Sequence, residues 1–170
     1  QPMSPVPQKW YYEGVKIVTV DMSRLYPAAK STNYIPAILA QKRAREQGAV
    51  EAIYMDDEGN VLEGTTVNLF AFYGNTLVTT PTEGDILPGI TRMTVVELAQ
   101  EHFDLQERLL SYEELLKADE VFITAANKQV VPVVQVNDQT IADGKAGEGT
   151  RQIMALFEEL TERRAAGVEI

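Results

Sequence analysis

Apolar and polar positions change period several times along this chain, and each change marks an element boundary. Residues 15–20 (VKIVTV) alternate and are β-branched, which predicts an entering strand. From about 33 to 47 the period is helical. Ile35, Ile38 and Leu39 share one face, Asn33 is placed to cap, and Pro36 falls in the first turn, where its missing N–H does no harm. Gly48 ends that helix. Glu51–Met55 predicts a strand, 57–60 (DEGN) a turn, and 61–73 a second strand, with Gly74 and Asn75 making a hairpin into Thr76–Thr79. A Pro/Gly-rich loop over 80–90 leads into a helix from Thr91 to about Phe103 with Val95, Leu98 and Ala99 inward. Residues 105–110 predict a further strand, and 111–114 (SYEE) form a capping box that opens a short helix. Residues 121–125 and 130–136 read as buried strands around a polar break, with a turn at Asn137 and Asp138. The last helix, about 148–164, sets Ile153, Leu156, Phe157 and Leu160 on one face. Strands and helices alternate irregularly among hairpins, so the class is mixed α/β rather than a regular doubly wound sheet.

The chain has 170 residues, the size of one domain, and its 45% hydrophobic and 24% charged residues are the balance of a globular core. That excludes a disordered segment, and no apolar run is long enough for a membrane-spanning helix. With no cysteine and one histidine, His102, disulfides, thiolate metal sites and multi-histidine metal centres are excluded, so no metal is expected. Fifteen basic against 25 acidic residues give −10, which repels nucleic-acid backbones. The amphipathic helices carry acidic polar faces and argue against membrane association. Residues 1–10 (QPMSPVPQKW) hold three prolines and no signal-peptide core, so they read as extended linker in a cytoplasmic protein.

Four polar segments sit at element boundaries, where sites are usually built. Lys30 lies in KSTNY after an apolar Pro27-Ala28-Ala29. An amine whose pKa is lowered there can attack an aldehyde, while the plain reading is a solvated surface lysine. Glu63, with Thr65, Thr66 and Asn68, interrupts an apolar strand. A buried carboxylate there needs a cationic partner such as a protonated ring nitrogen, unless a bulge turns Glu63 to solvent. Residues 86–92 (ILPGITR) bring a tight loop into a helix start, where free N–H groups favour a phosphate and where Thr91 can equally be an ordinary cap. Residues 124–128 (TAANK) face either a ligand or solvent. A lysine for an imine, an acid for a pyridinium and a helix start for a phosphate are the three handles of pyridoxal phosphate.

The run AAKSTNY, EAIYMDDEGNVLEGTTVNLF, ILPGITRMTVVELA, ADEVFITAANKQVVPVV and IADGKAGEGT, in this order over roughly residues 10–160, resembles the fold-type IV pyridoxal-phosphate enzymes. These are the branched-chain and D-amino-acid aminotransferases and 4-amino-4-deoxychorismate lyase. The resemblance implies that family's large C-terminal domain, a mixed sheet or pseudo-barrel with flanking helices over 15–165. Residues 1–14 then stand as a linker remnant, and the small N-terminal domain is absent.

It further implies roles position by position. Lys30 matches the lysine that holds pyridoxal 5′-phosphate as a Schiff base and moves the substrate proton. Glu63 matches the acid at the pyridine nitrogen, and Leu87 the aliphatic residue on one ring face. Gly89, Ile90 and Thr91 match the phosphate loop. Tyr34 resembles the tyrosine near the ring hydroxyl, and Thr66 and Asn68 lie in the segment around the ring. Ala126 stands where many relatives carry a threonine or serine hydroxyl for the phosphate, so Asn127 or Lys128 is left to compensate.

The implied activity is transfer of an amino group from an amino acid to a 2-oxo acid, of branched-chain or D-amino-acid type, in a homodimer. The alternatives are the lyase, which releases pyruvate, and a non-catalytic cofactor-holding fragment awaiting its N-terminal half or a partner chain. The missing domain brings an arginine to the phosphate and aromatic residues to the substrate. Without it one wall of the site is exposed and partly apolar, which predicts association.

Overall fold

Strand-forming residues are apolar on successive positions, not only on alternate ones, so the sheet they build is covered on both faces. The computed structural model describes residues 5–83 and 86–167. Residues 1–4 of the expected linker and 84–85 of the expected 80–90 loop lie outside those described. In chain order the elements are α1 (Lys9–Glu13), β1 (Val15–Asp21), α2 (Ile35–Glu46), β2 (Glu51–Met55), β3 (Asn60–Gly64), β4 (Asn68–Tyr73) and β5 (Thr76–Thr79). Then follow α3 (Ile90–Gln100), β6 (Asp104–Glu107), β7 (Leu110–Ser111), α4 (Tyr112–Leu115), β8 (Glu120–Ala125), β9 (Gln129–Val136), β10 (Gln139–Thr140) and α5 (Glu148–Ala165).

All the strands join one mixed sheet in the order β6-β5-β4-β8-β9-β1-β2-β3-β7, with β10 beside β9, and the sheet curls into a half-barrel. β1 runs parallel to both β2 and β9, and β5 parallel to β6, while the other pairings are antiparallel. Inside the curl, Ile17, Ile53, Leu69, Ile123 and Val131 form one core. On the outer face Phe70, Phe72 and Phe122 pack against Val95 and Ala99 of α3 and Ile153 and Phe157 of α5. Phe70 and Phe122 stack at 4.8 Å between centroids. A third cluster sets Val18, Val20 and Tyr54 against Ala40 and Ala44 of α2.

The mixed class is as expected, with several local differences. α2 starts at Ile35 after Tyr34, and Asn33 makes no capping bond. Its buried stripe is Ala40 and Ala44, whereas the face shared by Ile35, Ile38 and Leu39 is exposed. Alanines let the helix lie close on β1 and β2, and that leaves the larger residues facing out. The single strand expected over 61–73 is broken at Thr65–Val67, where Gly64 N–H donates to Val67 O at 2.7 Å. The expected 105–110 strand divides into β6 and β7. Ser111 caps α4 by accepting from Glu114 N–H, but the Glu114 carboxylate turns to Arg108 and does not close the box. Within the stretch expected as extended linker, α1 packs Trp10 and Tyr11 on the core, and Tyr11 Oη donates to Lys128 O at 3.1 Å. No helix among the described residues is long and apolar enough to cross a membrane.

Candidate active site

The break between β3 and β4 opens a cleft of about 950 Å³, lined by four loop and strand-end segments and by Tyr54 of β2. The 24–37 segment brings Lys30 and Tyr34, and the β3–β4 break brings Glu63, Thr66 and Asn68. The loop into α3 brings Leu87, Gly89, Ile90 and Thr91, and the β8–β9 turn brings Ala126 and Asn127. All these residues, which the family resemblance matched to the cofactor, therefore face one space.

Glu63 is almost fully buried, and both of its oxygens are engaged. Arg24 Nη1 donates to Oε1 at 2.9 Å, and Leu87 N–H donates to Oε2 at 3.0 Å. Burial pushes the Glu63 carboxyl above its usual range, and the bonds and charge supplied by Arg24, with the Leu87 amide, pull the other way without cancelling it. Arg24 Nη2 also donates to Ala29 O at 2.9 Å, so one guanidinium ties the acid to the residue preceding Lys30.

Behind the same wall lies a second buried carboxylate, Glu51, with no exposure. It accepts from Gln41 Nε2, from Thr65 Oγ1, from Thr66 Oγ1 at 2.8 Å and from its neighbour Ala52 N–H at 3.0 Å. Lys128 Nζ stands 3.5 Å away and donates to Thr66 Oγ1 at 2.9 Å. Thr66 keeps its place on the cleft, yet its hydroxyl proton is committed to Glu51. Lys128, considered for the phosphate site, is likewise committed to Glu51 and does not line the cleft. Tyr54 lines the cleft beside these groups, and burial, then the charges of Glu51 and Glu63, push its phenol up.

The helix end of the cleft has a different chemistry. α3 begins after Gly89 with no side-chain cap among the described residues, which leaves its first N–H groups available there. A Cβ on Gly89 would meet Asn68 Oδ1 at 2.3 Å and displace that amide, whose Nδ2 donates to Leu87 O at 3.0 Å, so glycine lets the loop approach β4 with this bond intact. Arg92 turns away from the cleft and donates to Thr80 O at 2.8 Å and Glu107 Oε2 at 2.6 Å. What remains is a pocket of uncharged donors at a helix N-terminus, which suits a phosphate. The residues present therefore fit pyridoxal phosphate at three points: an amine, a buried anion for a ring N–H, and free amides for the phosphate.

Arg24 and Glu51 escaped the sequence reading, and Thr124 entered it only as the first residue of a polar break. Glu51 carried the signal that exposed Glu63, a carboxylate inside an apolar strand, and the same reasoning would have found it. Arg24 carried none, because its partner is 39 residues away.

The sequence matches the family model described as amino-transferase class IV over residues 1–136. It is 37% identical over 154 residues to a D-alanine aminotransferase of Bacillus licheniformis, covering 89% of this chain and 54% of that protein. To a branched-chain-amino-acid aminotransferase of Escherichia coli K12 it is 34% identical over 152 residues, covering 85% and 49%. The structure superposes with a TM-score of 0.81 on the branched-chain amino acid aminotransferase from Thermobaculum terrenum in its PLP form, at 28% identity, covering 86% of this chain and 50% of that one. The chain spans about half the length of the curated relatives it matches.

Proposed function

The chain belongs to the amino-transferase class IV family, and from that premise we propose that it forms the cofactor-holding large domain of a pyridoxal-phosphate-dependent amino-acid aminotransferase. The observation that carries this reading is one cleft in which Lys30, the buried Glu63–Arg24 pair and the uncapped start of α3 face each other.

Pyridoxal 5′-phosphate supplies an electrophilic carbonyl carbon and a ring that withdraws electrons from an adjoining carbon. Lys30 would hold that carbonyl carbon and would take and return the proton at the substrate Cα. Such general-base help is worth about 10²–10⁴-fold. Glu63 would accept the ring N–H, and Arg24 and the Leu87 amide hold its carboxylate in place. Leu87 would lie against the ring and exclude water from one face. Ile90 and Thr91 would give backbone N–H groups, and Thr91 its hydroxyl, to the phosphate. Gly89 and Asn68 hold that loop in place. Tyr34 would serve the ring hydroxyl, Thr66 would line the ring, and Ala126 and Asn127 would offer backbone N–H groups.

The substrates are an amino acid and a 2-oxo acid in a cytoplasmic homodimer. The relatives named above transfer amino groups, which favours transamination over pyruvate elimination. Their names divide between branched-chain and D-alanine substrates. The side-chain pocket depends on a small N-terminal domain that residues 15–165 do not provide.

Incubation with pyridoxal phosphate should give a yellow Schiff-base absorption. Borohydride reduction and peptide mapping should then place the adduct on Lys30, and Lys30→Ala should abolish both. Adduct scattered over surface lysines would remove this reading.

A further inference from the structure

Three buried side-chain polar atoms lack a hydrogen-bond partner among the described residues: Arg92 Nε, Thr124 Oγ1 and Thr150 Oγ1. Of these residues only Thr124 lines the cleft. Thr124 lies on β8 opposite Asn68 of β4, next to the strand end from which the Ala126 turn departs. It is 1% exposed. A hydroxyl taken from water and given no partner is unfavourable, and such groups in folded chains usually have a ligand or water to bond.

The surroundings say which ligand. Strand alternation puts Thr124 on the same face as Phe122, which packs with Val95 of α3. That is the face where α3 opens with free N–H groups and no side-chain cap. Cations are spent elsewhere: Arg92 on Thr80 and Glu107, Lys128 on Glu51 and Thr66. Ala126 brings no hydroxyl. Among the described residues, the donors left for a phosphate seated at α3 are therefore neutral, and Thr124 is the buried cleft hydroxyl without a partner.

We infer that Thr124 is a cofactor-binding residue whose hydroxyl donates to the phosphate of pyridoxal phosphate, doing from within β8 what a hydroxyl at position 126 would do from the turn. This rests on the proposed cofactor reading.

Thr124→Val keeps the β-branched shape and removes only the hydroxyl. Parent and variant chains are titrated by absorbance with pyridoxal phosphate and, separately, with pyridoxal, which has the same ring and aldehyde without the phosphate. Loss of one hydrogen bond to a charged group should weaken pyridoxal phosphate about tenfold to a hundredfold, with pyridoxal unchanged within about twofold. Inorganic phosphate should raise the melting temperature of the parent more than that of the variant. The ligand-free variant should melt no lower than the parent, because the hydroxyl it loses bonds to nothing in the chain. Ala126→Thr added to Thr124→Val should recover much of the phosphate-dependent affinity.

Equal affinity of parent and variant for pyridoxal phosphate would overturn the inference and leave the cofactor reading intact. So would parallel losses for both ligands, or a lower melting temperature of the ligand-free variant. A parent chain that takes up neither ligand at Lys30 would overturn the cofactor reading itself, and this inference with it.

Discussion

Arg24 joins two ends of the cleft through a single guanidinium, bonded to Glu63 on one side and to the Ala29 carbonyl on the other. Its side chain is about one-fifth exposed and that of Glu63 almost fully buried, so the arginine is the partially solvated member of the pair. Arg24→Met leaves the carboxylate buried with one amide donor. The Glu63 carboxyl already stands above its unfolded value near 4.5 because of burial. A raised carboxyl favours the folded chain most below that unfolded value, and the contribution is lost as pH rises through the folded pKa. Without Arg24 the folded pKa moves further up, so the destabilisation should be small in acid and grow toward neutral pH. There it should reach roughly 1–3 kcal/mol, scaled down from a fully buried pair. Urea unfolding at pH 5 and pH 8 measures it, and a deficit equal at both would mean the two groups are not coupled. Of these partners, Glu63 was legible in the sequence as an acid inside a strand. Arg24 was not, since only the packing of β3 beside β2 and β1 in the sheet brings the two near.

Two helix starts show how differently the same orphan N–H groups can be used. At α5 the Glu120 carboxylate accepts from Gly149 N–H at 2.9 Å and from Thr150 N–H at 2.7 Å. That end is closed by the chain's own anion. At α3 no side chain of the described residues does this, and Ile90 and Thr91 of its first turn line the cleft. Glu120→Ala should lower stability by roughly 1–2 kcal/mol, as loss of a cap with favourable dipole interaction does. It should leave pyridoxal-phosphate affinity unchanged, which thermal melting and titration together would establish. A change in affinity would mean that α5 communicates with the cleft. The helix periods at 90–100 and 148–165 were legible from the apolar spacing. Which start was free was not, because Glu120 reaches α5 from the neighbouring strand. Nor did the period orient α2, where two alanines took the buried side against three larger residues.

At the scale of the whole molecule, apolar residues remain on the surface around the cleft. Leu25, Ile35 and Ile90 are each 70% or more exposed, with Tyr26 and Ile38 beside them in exposure. Such residues favour association. The chain should therefore self-associate in a concentration-dependent manner, seen as a rising weight-average mass in sedimentation velocity. Ile35→Ser with Ile38→Ser should weaken that association and leave the melting temperature nearly unchanged, since neither side chain packs in the core. A strictly monomeric parent at high concentration would contradict this. The chain spans about half the length of the curated relatives it matches.

The sequence by itself determined the periods of the elements, the mixed α/β class and the segments that carry the chemistry. These are local properties: strand alternation, turn residues, a glycine at a helix start, a carboxylate in an apolar run. The likeness of those segments to one enzyme family pointed to the same cleft. Only the tertiary structure decided the partners. It assigned Arg24 to Glu63 and Lys128 to Glu51, withdrew the Thr66 hydroxyl proton from the cleft, and left the Thr124 hydroxyl unpaired. Hydrogen bonds between side chains depend on distances between strands far apart in sequence, set by the curl of the sheet and the break after Gly64. No spacing along the chain records them.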